Sequence, residues 1–185
     1  QLTDTSSHSK LVKVLPDKLA ALFSLPKTFK VKGSIGSGNM AEIPWIGFFD
    51  TSITTSAQSG FYIVILFKAD MSGFYISLNQ GWTQYQEEYG IKKGKVIIKE
   101  NAVVAQNSLK TISSLNKGVL ALDATGTLGK GYELGNIASS YFDLTSTLQE
   151  IDLLQEFRDL LASYSELKGM VGIDILNIKT SISEE

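Results

Sequence analysis

The sequence predicts an α+β fold, with a mixed, largely antiparallel β-sheet flanked by helices, and two observations carry this prediction. Three runs of strand length follow one another, from Ile43 to Phe49, from Phe61 to Phe67 and from Phe74 to Asn79. Helical spacing dominates elsewhere, without the strict alternation of strand and helix that parallel folds show. A chain of 185 residues suits a single domain.

Turn residues mark where these strands begin and end. Thr28 to Lys32 alternates like a strand and leads into a glycine-rich turn, Gly33 to Asn39, whose glycines allow positive φ. Pro44 has no amide hydrogen to donate, so we expect it at the start of the next strand or on an edge. That strand is apolar on both sides, which predicts cover on both of its faces. The short turn from Asp70 to Gly73 predicts an antiparallel hairpin.

Four segments are predicted to be helical from their apolar spacing: 10–25, 83–93, 101–115 and 147–167. Gly169 is expected to end the last of them, which is amphipathic. Val119 to Leu122 is a candidate strand, and Gly126 to Gly135, with four glycines in ten residues, is expected to be a loop. Residues 1–9 are predicted to be a flexible polar leader, and residues 10–185 the domain.

Composition excludes several kinds of chemistry. The chain has no cysteine and a single histidine, His8, in the polar leader. Disulfides, thiolate zinc sites, Cys-His nucleophiles and Ser-His-Asp triads therefore do not fit. No apolar run approaches 18 residues, and the first residues do not resemble a signal peptide. We therefore expect a cytoplasmic protein with no membrane partner.

Charge is distributed unevenly along the chain. Residues 1–132 carry 14 Lys against 9 Asp and Glu, a net charge of +5. Residues 133–185 carry 3 Lys and Arg against 10 Asp and Glu, a net charge of −7. A lysine-rich front half could face phosphate groups while the acidic half lies elsewhere, although two ordinary solvated surfaces would give the same pattern.

Two short motifs were weighed as signs of catalysis. Gly129-Lys130-Gly131 lacks the remaining residues of a Walker A loop, so nucleotide hydrolysis is not expected. Glu166-Leu167-Lys168 has the form of half a metal-dependent nuclease site, but it lies on the amphipathic helix, where a solvated helix face is the better interpretation. The sequence therefore predicts no catalytic residue, no metal ligand and no enzyme activity for this chain.

Three blocks of sequence, in order, resemble the N-terminal recognition domain of McrB-type modification-dependent restriction enzymes. They are Gly36 to Ile46 (GSGNMAEIPWI), Ser56 to Phe67 (SAQSGFYIVILF) and Ser77 to Gly81 (SLNQG). A later block, Gly131 to Tyr141 (GYELGNIASSY), also resembles a segment of these domains. Together the blocks span the chain from about Lys30 to Tyr141.

The resemblance implies a DNA-recognition domain of a McrBC-like antiviral defence system. Such a domain binds double-stranded DNA and flips a modified cytosine, 5-methylcytosine or 5-hydroxymethylcytosine, out of the duplex. The implied partners are an AAA+ GTPase region and a nuclease subunit, which together would form a GTP-dependent endonuclease. GTP and Mg²⁺ are expected only in that parent complex, and no cofactor is expected in this chain.

Matched by motif, Trp45, Tyr62 and Leu66 take the positions of the family's base pocket. Tyr62 and Leu66 share a strand face by the period of two, and aromatic stacking is worth about 1–3 kcal/mol per base. The alternative is that Trp45 and Tyr62 are core aromatics. Four polar side chains near these positions in sequence could read the cytosine edge: Asn39, Ser56, Gln58 and Asn79.

The resemblance also implies a turn that enters the duplex, formed by Gly36, Ser37, Gly38, Asn39 and Met40. Ser37 stands where the family's best-known type has an aromatic residue that replaces the flipped base in the stack. A hydroxyl cannot stack, so either Met40 or another residue is the wedge, or extrusion differs. The lysines expected near phosphate are Lys30, Lys32, Lys92, Lys93 and Lys95, for which solvated positions are an equal alternative.

Two other functions stay open at the level of sequence. A protein-interaction domain would use the glycine turn and the aromatic strands only for structure, and its contact with DNA would show no steep salt dependence. A complete small nuclease would cut DNA by itself with magnesium. Both are distinguished from base recognition by binding and cleavage measurements on defined duplexes.

Overall fold

The computed structural model describes residues 10–36 and 39–183, and it confirms the α+β fold. Five strands form one antiparallel sheet in which neighbours in the sheet are neighbours along the chain. The predicted hairpin between the third and fourth strands is confirmed. The strands are β1 (Phe29–Ser34), β2 (Trp45–Asp50), β3 (Phe61–Phe67), β4 (Gly73–Gln80) and β5 (Ala138–Asp143).

Helices occupy the segments before, between and after the strands. A π-helical turn (Lys10–Val14) precedes α1 (Leu15–Leu22), and a 3-10 turn (Ile175–Asn177) separates the last two helices. The predicted leader, residues 1–9, lies outside the described residues. The remaining helices are α2 (Trp82–Ser108), α3 (Thr127–Leu134), α4 (Glu150–Val171) and α5 (Ile178–Ser183).

One face of the sheet, named here the helix face, packs against the helices. Its strand side chains are apolar and almost fully buried, because successive residues of a strand point to opposite faces. Tyr164 of α4 ties the layers together, since its hydroxyl donates to the Phe61 carbonyl (3.0 Å) and accepts from the Asp50 amide (3.1 Å). The strand residues on this face include Ile46, Phe48, Phe61, Ile63, Ile65, Phe74, Ile76 and Leu78.

The opposite face, named here the cavity face, is covered by α3 and by the irregular segment before it. Phe49, Tyr62, Val64 and Leu66 form a second apolar cluster with side chains from these two elements. The prediction that β2 is covered on both faces is therefore confirmed. The covering side chains are Leu120, Leu122, Ala124 and Tyr132.

The middle of the chain differs from the sequence prediction. Two separate helices, 83–93 and 101–115, were expected, but α2 spans Trp82–Ser108 and breaks only at Gly90, whose φ is 74° and ψ 170°. The two arms of α2 pack closely, and a Cβ on Gly94 would lie 2.8 Å from the Tyr85 carbonyl oxygen. Gly90 therefore makes the turn, and Gly94 permits the close approach.

The prediction for Gly126 to Gly135, which was based on glycine content, is wrong. Gly126 to Gly135 was expected to be a loop, yet α3 occupies Thr127–Leu134. Its glycines serve packing rather than turning, because a Cβ on Gly129 would lie 2.5 Å from the Ala124 side chain, and one on Gly131 would overlap Trp82. The strand expected at 119–122 is wrong, since the Leu120 amide bonds to the Glu133 carbonyl of α3 instead.

The C-terminal region needs two further corrections. Strand β5 was not predicted, because its sequence mixes serines with aromatic residues and gives no clean apolar alternation. Helix α4 begins at Glu150 and ends at Val171, so the expected limits of 147 and 167 are shifted toward the C-terminus. The residue with positive φ that follows α4 is Gly172 (63°), whereas Gly169 lies within the helix.

Candidate nucleic-acid interface

The glycine-rich turn leads from β1 into β2 and is closed by its own backbone. The Ala41 amide donates to the Ile35 carbonyl at 2.7 Å, and Gly36 takes a φ of 103°. A Cβ on Gly36 would overlap the Asn39 carbonyl oxygen, so the turn requires glycine there. Of the predicted DNA-inserting residues, Ser37 and Gly38 lie outside the described residues, Asn39 is exposed, and Met40 is 54% exposed.

A cavity of about 330 Å³ opens next to this turn. One side of the cavity is formed by Ser34, Gly36 and residues 41–43, and the other by residues 126–129 at the start of α3. Two aromatic side chains, Trp45 from β2 and Tyr132 from α3, complete its lining. The cavity therefore joins the turn, the sheet and α3 in one concave site.

The three residues predicted for the base pocket share the cavity face but differ in exposure. Trp45 pairs with Leu66 in the sheet, is partly buried and lines the cavity. Tyr62 and Leu66 are completely buried and do not line this cavity. The Tyr62 hydroxyl donates to the Ala57 carbonyl at 2.8 Å, and burial raises the pKa of this hydroxyl well above its ordinary value. Trp45 is thus the only one of the three at the cavity surface.

Sequence reasoning missed Tyr132, the second aromatic residue of the cavity. Its side chain is buried, and burial raises the pKa of its hydroxyl to about 12. That hydroxyl forms no hydrogen bond with any of the described residues, and Tyr132 is one of the residues that line the cavity. Its block, Gly131 to Tyr141, already resembled the family, but the assignment of the segment as a loop hid the residue.

Asn79, one of the polar candidates for reading the cytosine edge, has an internal role instead. Its amide nitrogen donates to the Tyr132 carbonyl and to the Ser77 hydroxyl, both at 3.0 Å. Ser77 in turn donates to Asn136 at 2.7 Å. This buried chain of hydrogen bonds links β4 to α3 and thereby fixes the backbone that carries Tyr132.

Two carboxylates hold the segment that covers the cavity face. Glu133 accepts from the Leu122 and Ala124 amides, each at 3.2 Å, and pairs with Lys130 at 2.8 Å. Glu42 reaches the same segment from the other side of the cavity and accepts from Thr125 and Gly126. The hydrogen bond from the Thr125 hydroxyl is the main reason why the pKa of Glu42 is lowered.

The five predicted phosphate-binding lysines fall into two groups. Lys30 and Lys32 are exposed on β1 and pair with Phe49 and Gly47, so their side chains project to the cavity face, as does that of Ser34 opposite Trp45. Neither forms an ion pair within residues 10–36 and 39–183. The others, Lys92, Lys93 and Lys95, follow the kink of α2, where Lys93 lies 5.4 Å from the ring centre of Tyr89.

The nuclease-like triplet joins parts of the fold. Glu166 accepts from the Lys110 amide (2.9 Å) and from the Thr111 hydroxyl (2.7 Å). Lys168 forms an ion pair with Asp50 at 2.8 Å, and Leu167 between them is fully buried. In the part of the chain that the structure describes, no three His, Cys, Asp or Glu side chains are grouped as metal ligands.

The fold and the cavity define a class of protein: a single α+β domain whose concave site lies on a lysine-bearing face. The chain belongs to the family described as MrcB-like, N-terminal domain, whose model matches residues 1–169 of 185. This finding confirms the resemblance to McrB-type domains predicted from the sequence blocks. No curated protein matches the sequence. None of the helices within the described residues has the length and apolarity needed to span a membrane.

Proposed function

We propose that this domain binds double-stranded DNA and takes a modified cytosine, 5-methylcytosine or 5-hydroxymethylcytosine, out of the duplex into the cavity between Trp45 and Tyr132. The observation that carries the proposal is this cavity, which places two aromatic walls beside the turn and on the face of Lys30 and Lys32. Its volume of about 330 Å³ suits a small planar ligand.

The energetic basis of the proposal is stacking against accessible aromatic surface. A flipped base loses its neighbours in the duplex, which costs a few kcal/mol, and regains stacking on protein side chains. Contact with one aromatic face is worth about 1–3 kcal/mol per base, so stacking on Trp45 is of the right magnitude to offset much of the cost. Tyr132, which is 3% exposed, bounds the cavity on the other side and adds little stacking surface. Trp45 is only partly buried, so its ring is available for this contact.

Tyr62 and Leu66 contribute to this pocket from beneath. Both are completely buried, Leu66 is the strand partner of Trp45, and Tyr62 packs against Phe49 with ring centres 5.1 Å apart. Phe49 in turn contacts Trp45 edge to face at 6.4 Å. In this proposal Tyr62 and Leu66 support the pocket from beneath its lining and set the position of Trp45.

The duplex approaches the cavity face. The Gly36 to Met40 turn enters the DNA duplex. Met40, at 54% exposure, is the described residue of the turn best suited to fill the space that the flipped base leaves. Lys30 and Lys32 contact phosphate groups beside the turn, and Lys92, Lys93 and Lys95 extend the basic surface. The acidic helix α4 packs on the helix face, away from the negatively charged DNA.

In this proposal the chain supplies recognition, and other components supply catalysis. The parent system is a McrBC-like antiviral restriction complex in the cytoplasm, with an AAA+ GTPase region and a nuclease subunit as partners. GTP and Mg²⁺ act in those components. Membership of the family of MrcB-like N-terminal domains supports this division of labour.

The proposal is tested by anisotropy titrations of labelled duplexes that differ only in one cytosine, which is unmodified, methylated or hydroxymethylated. Wild-type protein should prefer a modified duplex, and Trp45→Ala should remove the preference while leaving weak binding to all three duplexes. Tyr75→Ala is the matched control, because Tyr75 is a partly buried aromatic residue of the same sheet face that does not line the cavity.

Equal binding to the three duplexes by wild type would contradict base recognition and leave a nonspecific DNA-binding domain. No binding at all at low salt would favour the protein-interaction function instead. Cleavage of DNA by this chain alone with Mg²⁺ would contradict the division of labour.

A further inference from the structure

Glu42 makes a dense set of hydrogen bonds beside the cavity. One carboxylate oxygen accepts from the Thr125 amide (2.5 Å) and from its hydroxyl (2.6 Å). The other oxygen accepts from the Gly126 amide at 3.0 Å. Glu42 is itself exposed, and it lies in the segment that connects the glycine-rich turn to β2. A single side chain therefore joins the turn to the start of α3.

These bonds link the two sides of the cavity. Ala41, Glu42 and Ile43 line one side, and the 126–129 segment lines the other. The approach is close, because a Cβ on Gly126 would lie 3.0 Å from a Glu42 oxygen, and one on Gly129 would lie 3.1 Å from the same atom. The carboxylate thus sets the distance between the two sides, and both glycines leave the room that it needs.

Helix α3 has no cap of its own at this end. Its N-cap residue is Gly126, and no side chain of the helix accepts from the first-turn amides. Glu42, from a distant part of the chain, accepts instead from Thr125 and Gly126, the two residues just before the helix, and its negative charge suits the N-terminal end of a helix. Because α3 carries Tyr132, displacement of this end of the helix would move one of the two aromatic walls.

We infer that Glu42 is a positioning residue for base recognition, whose carboxylate holds the turn and the start of α3 at the separation that a flipped base requires. This inference rests on the proposed function. It assigns to Glu42 no contact with the base. Loss of the Glu42 carboxylate should weaken discrimination between modified and unmodified cytosine but should not change contacts with phosphate groups.

The test compares wild type, Glu42→Gln and Asp143→Asn. Glutamine keeps the size of the side chain but replaces one acceptor oxygen with a donor, which would oppose either the Gly126 or the Thr125 amide. Asp143 is the matched control, since it accepts from the amide and hydroxyl of Thr145 in the same way, but on β5 and within its own turn. Anisotropy titrations give the affinity ratio of modified to unmodified duplex and the salt dependence, and hydrogen exchange reports on the Thr125 and Gly126 amides.

Glu42→Gln should lower the affinity ratio about tenfold, the effect of losing a hydrogen bond to a charged acceptor. Its salt dependence should equal that of wild type, and the Thr125 and Gly126 amides should exchange faster. Asp143→Asn should retain the wild-type ratio. Gly129→Ala should lower the ratio as well, because its methyl group would press on Ala124 and on Glu42 from the opposite side of the cavity.

Two outcomes overturn the inference and can be told apart. If Glu42→Gln exchanges faster at Thr125 and Gly126 but keeps the full affinity ratio, the bonds exist without any role in recognition, and only this inference fails. If wild type itself shows no preference for a modified duplex, the proposed function fails, and the inference fails with it.

Discussion

The two faces of the sheet use the same strands in different ways. On the helix face, side chains such as Phe48 and Ile63 are completely buried against α4 and its neighbours. On the cavity face, burial is just as complete at Tyr62 but ends at Trp45, which lines a cavity. Alternate residues of one strand therefore belong either to a closed core or to an open site.

The comparison shows that the rigid part of the domain and the part accessible to a ligand lie on opposite faces of the sheet. The helix face provides a fixed platform, because α4 is tied to it by the Tyr164 hydrogen bonds and by the Lys168–Asp50 ion pair. The cavity face is covered by a short helix and an irregular segment held by carboxylates. Substitutions on the first face should change stability, and substitutions of side chains that line the cavity should change recognition.

The largest effect on stability is expected for Phe157→Ala on the helix face. Phe157 is 1% exposed and stacks on Phe23 with ring centres 3.8 Å apart. Loss of the ring should lower the free energy of unfolding by about 3–5 kcal/mol, measured by urea denaturation. Ile151→Ala on the same helix is the control, since Ile151 is 66% exposed and should change stability by less than about 0.5 kcal/mol. Similar losses for both variants would contradict the closed core.

The next effect concerns the charge of the cavity face. In Lys30→Ala combined with Lys32→Ala, two phosphate contacts should be lost, so the slope of log K against log salt should fall by about 1.8. The loss should be the same for modified and unmodified duplexes. Lys99→Ala is the control, because Lys99 is exposed on α2 beside Glu100 and Lys179, outside the five lysines predicted to contact phosphate. An unchanged slope in the double variant would place the DNA on another surface.

A smaller effect separates two tyrosine hydroxyls on the cavity face. Tyr132→Phe removes a hydroxyl that bonds with none of the described residues, so stability should hold while affinity for a modified duplex falls about fivefold, the value of one hydrogen bond. Tyr62→Phe removes a hydroxyl bonded to Ala57, so it should lower the free energy of unfolding by about 1 kcal/mol and leave the affinity ratio unchanged. Denaturation and anisotropy titration together check both. The opposite assignment of effects would place the ligand against Tyr62.

The smallest effect is a pH dependence. The pKa of Glu42 is lowered from 4.5, chiefly by the hydrogen bond from the Thr125 hydroxyl, so this carboxylate stabilises the fold above pH 4.5 and loses its contribution as the pH falls. The difference in unfolding free energy between wild type and Glu42→Gln should therefore shrink below pH 4.5. Urea denaturation between pH 3 and pH 7 measures this difference. A difference that stays constant would contradict a stabilising role for the ionised Glu42 carboxylate.

Strands β1 to β4 could be predicted from the sequence because their signals are local. Apolar runs and the Asp70 to Gly73 turn determine β2, β3 and β4 and their antiparallel pairing. The predictions failed where glycines serve packing. Gly94, Gly129 and Gly131 lie inside helices. Room for a side chain is removed at these positions by the Tyr85 backbone, the Ala124 side chain and the Trp82 ring, respectively. Such tertiary demands leave no periodic signal in the sequence.

The candidate site was only partly predictable for the same reason. Trp45 follows a motif and lies at the cavity, but Tyr132 comes from a segment more than 80 residues later along the chain. The bonds from Thr125 and Gly126 to Glu42 likewise span 83 and 84 residues. Only the folded chain shows that these side chains meet.

The chain order of the strands has a consequence for synthesis on the ribosome. Strands β1 to β4 are complete at Gln80, and each can pair with its predecessor as it emerges. The residues of α4 that cover the helix face begin only at Glu150, about 4–14 seconds later at usual translation rates. During this interval the part of the helix face that α4 covers is exposed to solvent. We therefore expect nascent chains that stall before α4 to be the form most prone to aggregate and most in need of a chaperone.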